Sequence, residues 1–113
     1  MAYQNITPVK LGLQAISATP TVDTVYTVPA STRTLLKDIS ICNTTAAAIT
    51  VDVYLVPSAG SPGTGNALMY ALSISANSII QWNGVQILNV GDTIQTKASA
   101  VGCTAHFSGG EAI

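Results

Sequence analysis

Residues 49–56 read Ile49-Thr50-Val51-Asp52-Val53-Tyr54-Leu55-Val56. Ile49, Val51, Val53 and Leu55 alternate with Thr50, Asp52 and Tyr54. A strict period of two puts successive side chains on opposite faces of a pleated strand. One face is therefore dry, and the other meets solvent or a polar interface. The stretch before it repeats the theme: Thr34 to Cys42 is a second apolar strand, with Leu35, Ile39 and Ile41 expected on one face and Leu36, Asp38, Ser40 and Cys42 on the other. Asn43-Thr44-Thr45 turns the chain, and a short Ala-rich connection leads into Ile49, so these two strands are expected to form an antiparallel hairpin. After Val56 comes Pro57-Ser58-Ala59-Gly60-Ser61-Pro62-Gly63-Thr64-Gly65-Asn66, the most loop-like segment of the chain. Its Gly, Pro and Ser content predicts an exposed, mobile loop, with Ser58, Gly60, Ser61, Pro62, Gly63 and Thr64 as the candidate exposed residues.

Working outward, the same vocabulary of Thr, Val, Ile and Ala recurs between turn residues, and no window sustains a capped helical period. Residues 1–9 read as an extended N-terminal arm, with Pro8 opposing helix and Tyr3, Gln4, Asn5 and Ile6 as candidate assembly contacts. Lys10 to Ile16 reads as a strand with Leu11, Leu13 and Ala15 on one face. Thr24 to Val28 follows and ends at Pro29. Later strands are expected at Ala67 to Ile74, Ser78 to Trp82, Val85 to Leu88, Thr93 to Ala98 and Cys103 to Ser108. Asn83-Gly84 between apolar flanks is a strong short-range hairpin signal, and Gly109-Gly110-Glu111 reads as the way out to a tail. Eight or nine short strands with a turn every eight to twelve residues predict an all-β fold. The expectation is a two-layer antiparallel β-sandwich over residues 10–113, of jelly-roll type as one option, with a barrel as the alternative.

Composition narrows what such a domain does. Of 113 residues, 8% are charged and 48% apolar, and the net charge is −1. Soluble domains average about 25% charged residues. A surface of Thr, Ser, Asn, Gln and Ala loses less on desolvation than a charged one, so it suits burial against other subunits. The four basic residues, Lys10, Arg33, Lys37 and Lys97, are scattered, which opposes nucleic-acid binding and attachment to an anionic membrane surface. No apolar run reaches the length of a membrane-spanning helix. The N-terminus lacks a basic and then apolar leader, so synthesis in a cytoplasm is expected. In that setting the sequons at Asn5 and Asn43 carry no meaning for glycosylation.

No catalytic constellation is evident. Cys42 and Cys103 fall at strand ends and lack the Trp and Tyr spacing of an immunoglobulin disulfide, so two reduced thiols are expected. One His and no Cys-x-x-Cys give no metal site. Asp38 and Asp52 would face each other across the expected hairpin. The chemical reading is a carboxylate pair for glycoside hydrolysis, and the plainer one is two solvated strand positions. His106 sits on the expected polar face. Trp82 either stacks on a sugar or, as favoured here, packs over the end of the core. No phosphate-binding loop, nucleophile elbow or calcium loop is present. No enzyme activity and no cofactor are expected.

The run Thr24-Val25-Tyr26-Thr27-Val28-Pro29-Ala30, then Thr34-Leu35-Leu36-Lys37-Asp38-Ile39-Ser40-Ile41-Cys42-Asn43-Thr44-Thr45, resembles small structural proteins of tailed-bacteriophage and prophage morphogenesis regions. The Ile74-Ser75-Ala76-Asn77 turn and Leu88-Asn89-Val90-Gly91-Asp92-Thr93-Ile94 fit the same cadence, and the match spans about residues 22 to 108. The resemblance implies a virion β-sandwich made in the host bacterial cytoplasm. Its first expectation is a capsid decoration or cement protein, homo-oligomeric and trimeric, bound to the major capsid protein. The alternative it leaves open is a tail or fibre module among tail proteins, binding a host-surface carbohydrate through the 57–66 loop and Trp82.

Overall fold

The computed structural model describes residues 6–113. Eight strands account for most of them: β1 (Ile6–Ala15), β2 (Asp23–Thr27), β3 (Arg33–Asn43), β4 (Ile49–Val56), β5 (Ala67–Ile74), β6 (Ile79–Leu88), β7 (Thr93–Ala98) and β8 (Cys103–Ala112). They form two four-stranded antiparallel sheets, in the order β1-β8-β3-β6 and β2-β7-β4-β5. Among the described residues, only the β4–β5 connection stays within one sheet; every other connection crosses between sheets. The result is a β-sandwich of jelly-roll topology, the option anticipated above.

The core lies between the sheets. Leu36, Ile39, Ile41, Ala105 and Phe107 from one inner face meet Val51, Val53, Ile74 and Ile94 from the other. Phe107, the chain's one phenylalanine, is 0% exposed, and aliphatic side chains supply the rest of the filling. The alternation read in Ile49–Val56 holds from Ile49 to Val53; beyond it Leu55 is half-buried and Val56 is buried. Tyr54 lies on the outer face yet is buried, and its hydroxyl is satisfied by donating to Asp52 Oδ2 at 2.9 Å on the same face.

Several expectations are corrected. β3 and β4 are not a hairpin: β3 pairs with β8 and β6, and β4 with β5 and β7, so the 44–48 connection carries the chain from one sheet to the other. The expected face of β3 fails because a bulge between Leu36 and Asp38 resets the phase. Thr34 and Leu36 point inward before it, Ile39, Ile41 and Asn43 after it, and Leu35 points outward. A bulge between Lys10 and Gly12 does the same in β1, leaving Leu11 buried and Leu13 exposed. Asn83-Gly84 is not a turn. β6 runs unbroken through it, and neither residue adopts the positive φ that a type I′ turn requires. The extra residues there form the partner side of the Leu36/Asp38 bulge, with Leu36 opposite Gln86 and Asp38 opposite Asn83.

At the two termini the strands are longer than expected. β1 begins at Ile6, within the span read as an arm, because residues 6–9 pair with 109–112. Gly109-Gly110-Glu111 belongs to β8 and not to a tail. A Cβ at Gly109 would overlap the carbonyl oxygen of Leu35, and one at Gly110 would stand 2.9 Å from Cγ2 of Ile6. The paired glycines let β1 and β3 close on either side of β8.

Two polar devices tie the sheets together at opposite ends. Buried Asn43 donates from Nδ2 to the carbonyls of Ala47 (2.8 Å) and Ile74 (3.0 Å). Its Oδ1 accepts from the Thr45 amide (2.9 Å) and hydroxyl (2.8 Å). It thereby joins β3, the 44–48 crossing and the end of β5. At the other end the Tyr26 hydroxyl donates to Glu111 Oε2 at 2.5 Å and lies 2.7 Å from Thr34 Oγ1. Burial, then the bond to Glu111, pushes the Tyr26 phenol up to about 12.

Candidate functional site

The outer face of the β1-β8-β3-β6 sheet carries an apolar row one residue deep. Register places Pro8, Gly110, Leu35 and Ile87 side by side across all four strands. Ile87 is 51% exposed, Ile6 leans over Gly110 at 62% exposure, and Val85 in the β6 bulge is 52% exposed. Because Gly110 has no side chain, the row dips into a shallow trough of about 260 Å³ bounded by Ile6, Pro8, Leu35 and Lys37. Farther along the same face the residues turn polar. His106 is exposed between Leu13 and Ser40, and Asp38 Oδ1 accepts from the side-chain amides of Gln81 (3.1 Å) and Asn83 (2.7 Å).

The outer face of the other sheet carries a pocket of about 200 Å³ lined by Thr19, Thr50, Asp52, Tyr70, Ala71, Lys97, Ala98 and Ser99. Asp52 organises it. Oδ1 accepts from the Ala71 amide at 2.6 Å, and Oδ2 accepts from Tyr54 and sits 3.9 Å from Lys97 Nζ. Burial, and next the adjacent Asp52 carboxylate, pushes the Tyr54 phenol up to about 12. Asp38 and Asp52 thus lie on opposite outer faces with the whole core between them, and the carboxylate pair weighed from the sequence is not formed.

The other candidate residues are placed as follows. Tyr3, Gln4 and Asn5 lie outside the described residues, and Ile6 is the exposed first residue of β1. Ser58, Gly60, Ser61 and Thr64 are exposed, and Pro62 and Gly63 are half-buried. The 57–66 loop is pinned at several points. The Ser58 amide donates to Asp92 Oδ1 (3.0 Å), the Gly63 amide to Asn66 Oδ1 (3.1 Å), and Asn66 Nδ2 to the Ser61 carbonyl (2.9 Å). A single 3-10 turn, Thr64–Asn66, closes it. Trp82 is half-buried against the core and covers Gly84, where a Cβ would stand 3.0 Å from the indole. It is not a free stacking platform. Cys42 and Cys103 are free thiols on opposite faces of β3 and β8, Cys103 inward opposite Asn43 and Cys42 outward opposite Thr104. Burial, and next the nearby Cys42, raises the Cys103 thiol above its ordinary value. Among the described residues, no three His, Cys, Asp or Glu side chains gather as a metal site, and no helix is long and apolar enough to cross a membrane.

The pocket at Asp52 was missed in the sequence. Its one local signal is Tyr70-Ala71 inside a strand otherwise read as regular, and nothing local ties that pair to Asp52 and Lys97.

No family model and no curated protein matches the sequence. Among solved structures, the fold is similar to that of a chain of infectious bursal disease virus, Gx strain. The TM-score is 0.56 at 9% identity, over 96% of this chain and 32% of that one. A chain of the VP2 subviral particle of the same virus aligns with a TM-score of 0.49 at 10% identity, over 96% of this chain and 33% of that one. This chain spans about a third of the length of either. At such identity the likeness is one of fold alone.

Proposed function

We propose that this protein is a structural virion subunit without enzymatic activity: a decoration protein that self-associates, as a trimer, on the major capsid protein of a tailed phage. The observation that carries this reading is the apolar row Pro8-Gly110-Leu35-Ile87, with Ile6 and Val85 beside it, on a sheet face that no other element among the described residues covers. Exposed contiguous apolar surface on a small domain marks an interaction site. The polar remainder of the exterior, nearly without charge, adds little desolvation cost to such contacts. The jelly roll supports the reading as a fold used in viral capsids.

Light scattering on the size-exclusion peak tests self-association. A trimer is the expected mass, falling to monomer in the Leu35→Glu/Ile87→Glu double variant while circular dichroism stays β-rich. A parent protein that is monomeric at micromolar concentration overturns the oligomer. Co-sedimentation with purified capsids, against co-sedimentation with tails, tests the location on the particle.

A further inference from the structure

We infer that the pocket around Asp52 and Lys97 is a binding subsite for one neutral pyranose ring, with Tyr70 as its stacking platform. The inference does not depend on the virion reading or on whether the subunit sits on head or tail.

Three features converge. The first is chemical. Asp52 Oδ2 accepts hydrogen bonds and Lys97 Nζ donates them, and they stand 3.9 Å apart at the rim of one pocket. Adjacent ring hydroxyls both donate and accept, so a vicinal diol can bridge such a pair in either sense. One acid beside one base gives the site no net charge, which disfavours a phosphate or a uronate. Hydroxyl-bearing Thr19, Thr50 and Ser99 complete the wall.

The second feature is an aromatic surface beside those polar groups. Tyr70 is 61% exposed and lines the pocket, whereas Tyr54 next to it is 3% exposed. A pyranose has one flat C–H face that packs on the negative face of an aromatic ring while its hydroxyls reach polar partners. The pocket volume, about 200 Å³, fits a single ring and falls below the roughly 300–1,000 Å³ of sites for drug-sized ligands.

The third is backbone geometry. β5 bulges twice against β4: Val51 pairs with Leu72, Val53 with Met69 and Tyr54 with Ala67. In the first bulge Ala71 adopts φ +49°, a conformation that is strained for a residue with a Cβ and that glycine adopts freely. The Asp52 carboxylate holds it by accepting the Ala71 amide. Bulges of this kind re-aim a side chain and gather at functional sites, and this one presents Tyr70 over the pocket. The site faces away from the apolar row, so a subunit packed through the β1-β8-β3-β6 sheet leaves it open to solvent.

The test is a titration of the ¹⁵N-labelled full chain with the methyl α- and β-pyranosides of glucose, galactose and mannose, followed by amide shifts. At least one pyranoside is expected to give saturable shifts confined to residues 19, 50–52, 70–71 and 97–99. The site is open and makes few contacts, so Kd falls in the range of about 1–10 mM. Tyr70→Ala and Lys97→Met should each weaken that binding by roughly tenfold or more, the equivalent of about 1.4 kcal/mol. Both variants should keep the parent's thermal midpoint and oligomeric mass. No saturable shift with any of the six glycosides, shifts mapping elsewhere, or undiminished binding by Tyr70→Ala overturns the inference. A failure of self-association leaves this outcome unaffected, and the converse also holds.

Discussion

Replacing Asn43 with Ala tests how the sandwich is held closed at the end where three connections meet. The side chain is 0% exposed and bonds two other segments, the 44–48 crossing and the end of β5. Removing it strips the Ala47 carbonyl and the Thr45 amide of a partner. Both lie close to solvent, where water takes over at a net loss of about 0.5–1 kcal/mol each. The Ile74 carbonyl is different. Ile74 is fully buried, so its lost bond goes unreplaced at about 1–3 kcal/mol. The expected total is about 3 kcal/mol, which for a domain of this size lowers Tm by about 12 °C. Urea unfolding followed by tryptophan fluorescence should show the midpoint fall with an unchanged m-value. Asn43→Asp sharpens the test. It keeps the acceptor facing Thr45 but sets a carboxylate oxygen against the carbonyls of Ala47 and Ile74. That burial and those carbonyls raise the new carboxyl's pKa in the folded state. Its contribution to stability is then complete below about pH 4 and lost as pH rises, so Asn43→Asp should be closer to the parent at pH 4 than at pH 7. An Asn43→Ala protein within 1 kcal/mol of the parent, or an Asn43→Asp protein indifferent to pH, refutes the reasoning.

Other outcomes follow from single positions. Thr96 faces the core at 0% exposure, and its Oγ1 has no hydrogen-bond partner among the described residues. Thr96→Val keeps the shape and removes the stranded hydroxyl, so thermal unfolding should show a gain of about 1 kcal/mol. Gly109→Ala drives a methyl group into the Leu35 carbonyl at the centre of a sheet and should cost at least about 2 kcal/mol in urea. Gly63→Ala, in extended backbone with open space around it, should change the same midpoint by less than about 0.5 kcal/mol. Tyr54 holds its proton to about pH 12 when folded and to about pH 10 when unfolded. The stability tied to its burial is therefore complete below pH 10 and is withdrawn between pH 10 and 12, by about 2–3 kcal/mol. Urea midpoints across that range should fall for the parent and fall less for Tyr54→Phe.

Local sequence proved a good guide to which residues are strand and a poor one to which strands meet. Ile49–Val56, Ala67–Ile74 and Thr93–Ala98 lie where their alternation and flanking turns put them. Pairing is set by packing over long separations. No local pattern shows that the chain crosses between sheets after Asn43, because the same Thr- and Ala-rich connection would serve a hairpin. Bulges account for most of the misread faces. An extra residue at Lys37 leaves Leu35 and Ile39 on opposite sides of one sheet, and no propensity marks it. Asn83-Gly84 misled for a related reason. The pair accepts turn geometry but does not impose it, and β3 alongside offered a full ladder of partners instead. The pocket was illegible because its residues come from four segments, at Thr19, Asp52, Tyr70 and Lys97, that only the jelly roll assembles.

β8 is the last strand in order along the chain, yet it sits in the interior of its sheet, hydrogen-bonded to β1 on one side and β3 on the other. Until it emerges from the ribosome, β1 has no ladder partner at all and the β3–β6 pair stands alone, with the future bed of Phe107 open to water. Closure of the sandwich thus waits on β8, whatever has folded before it. A chain stalled or clipped before Cys103 presents two unsatisfied strand edges at once, the kind of template on which other unfinished chains pair.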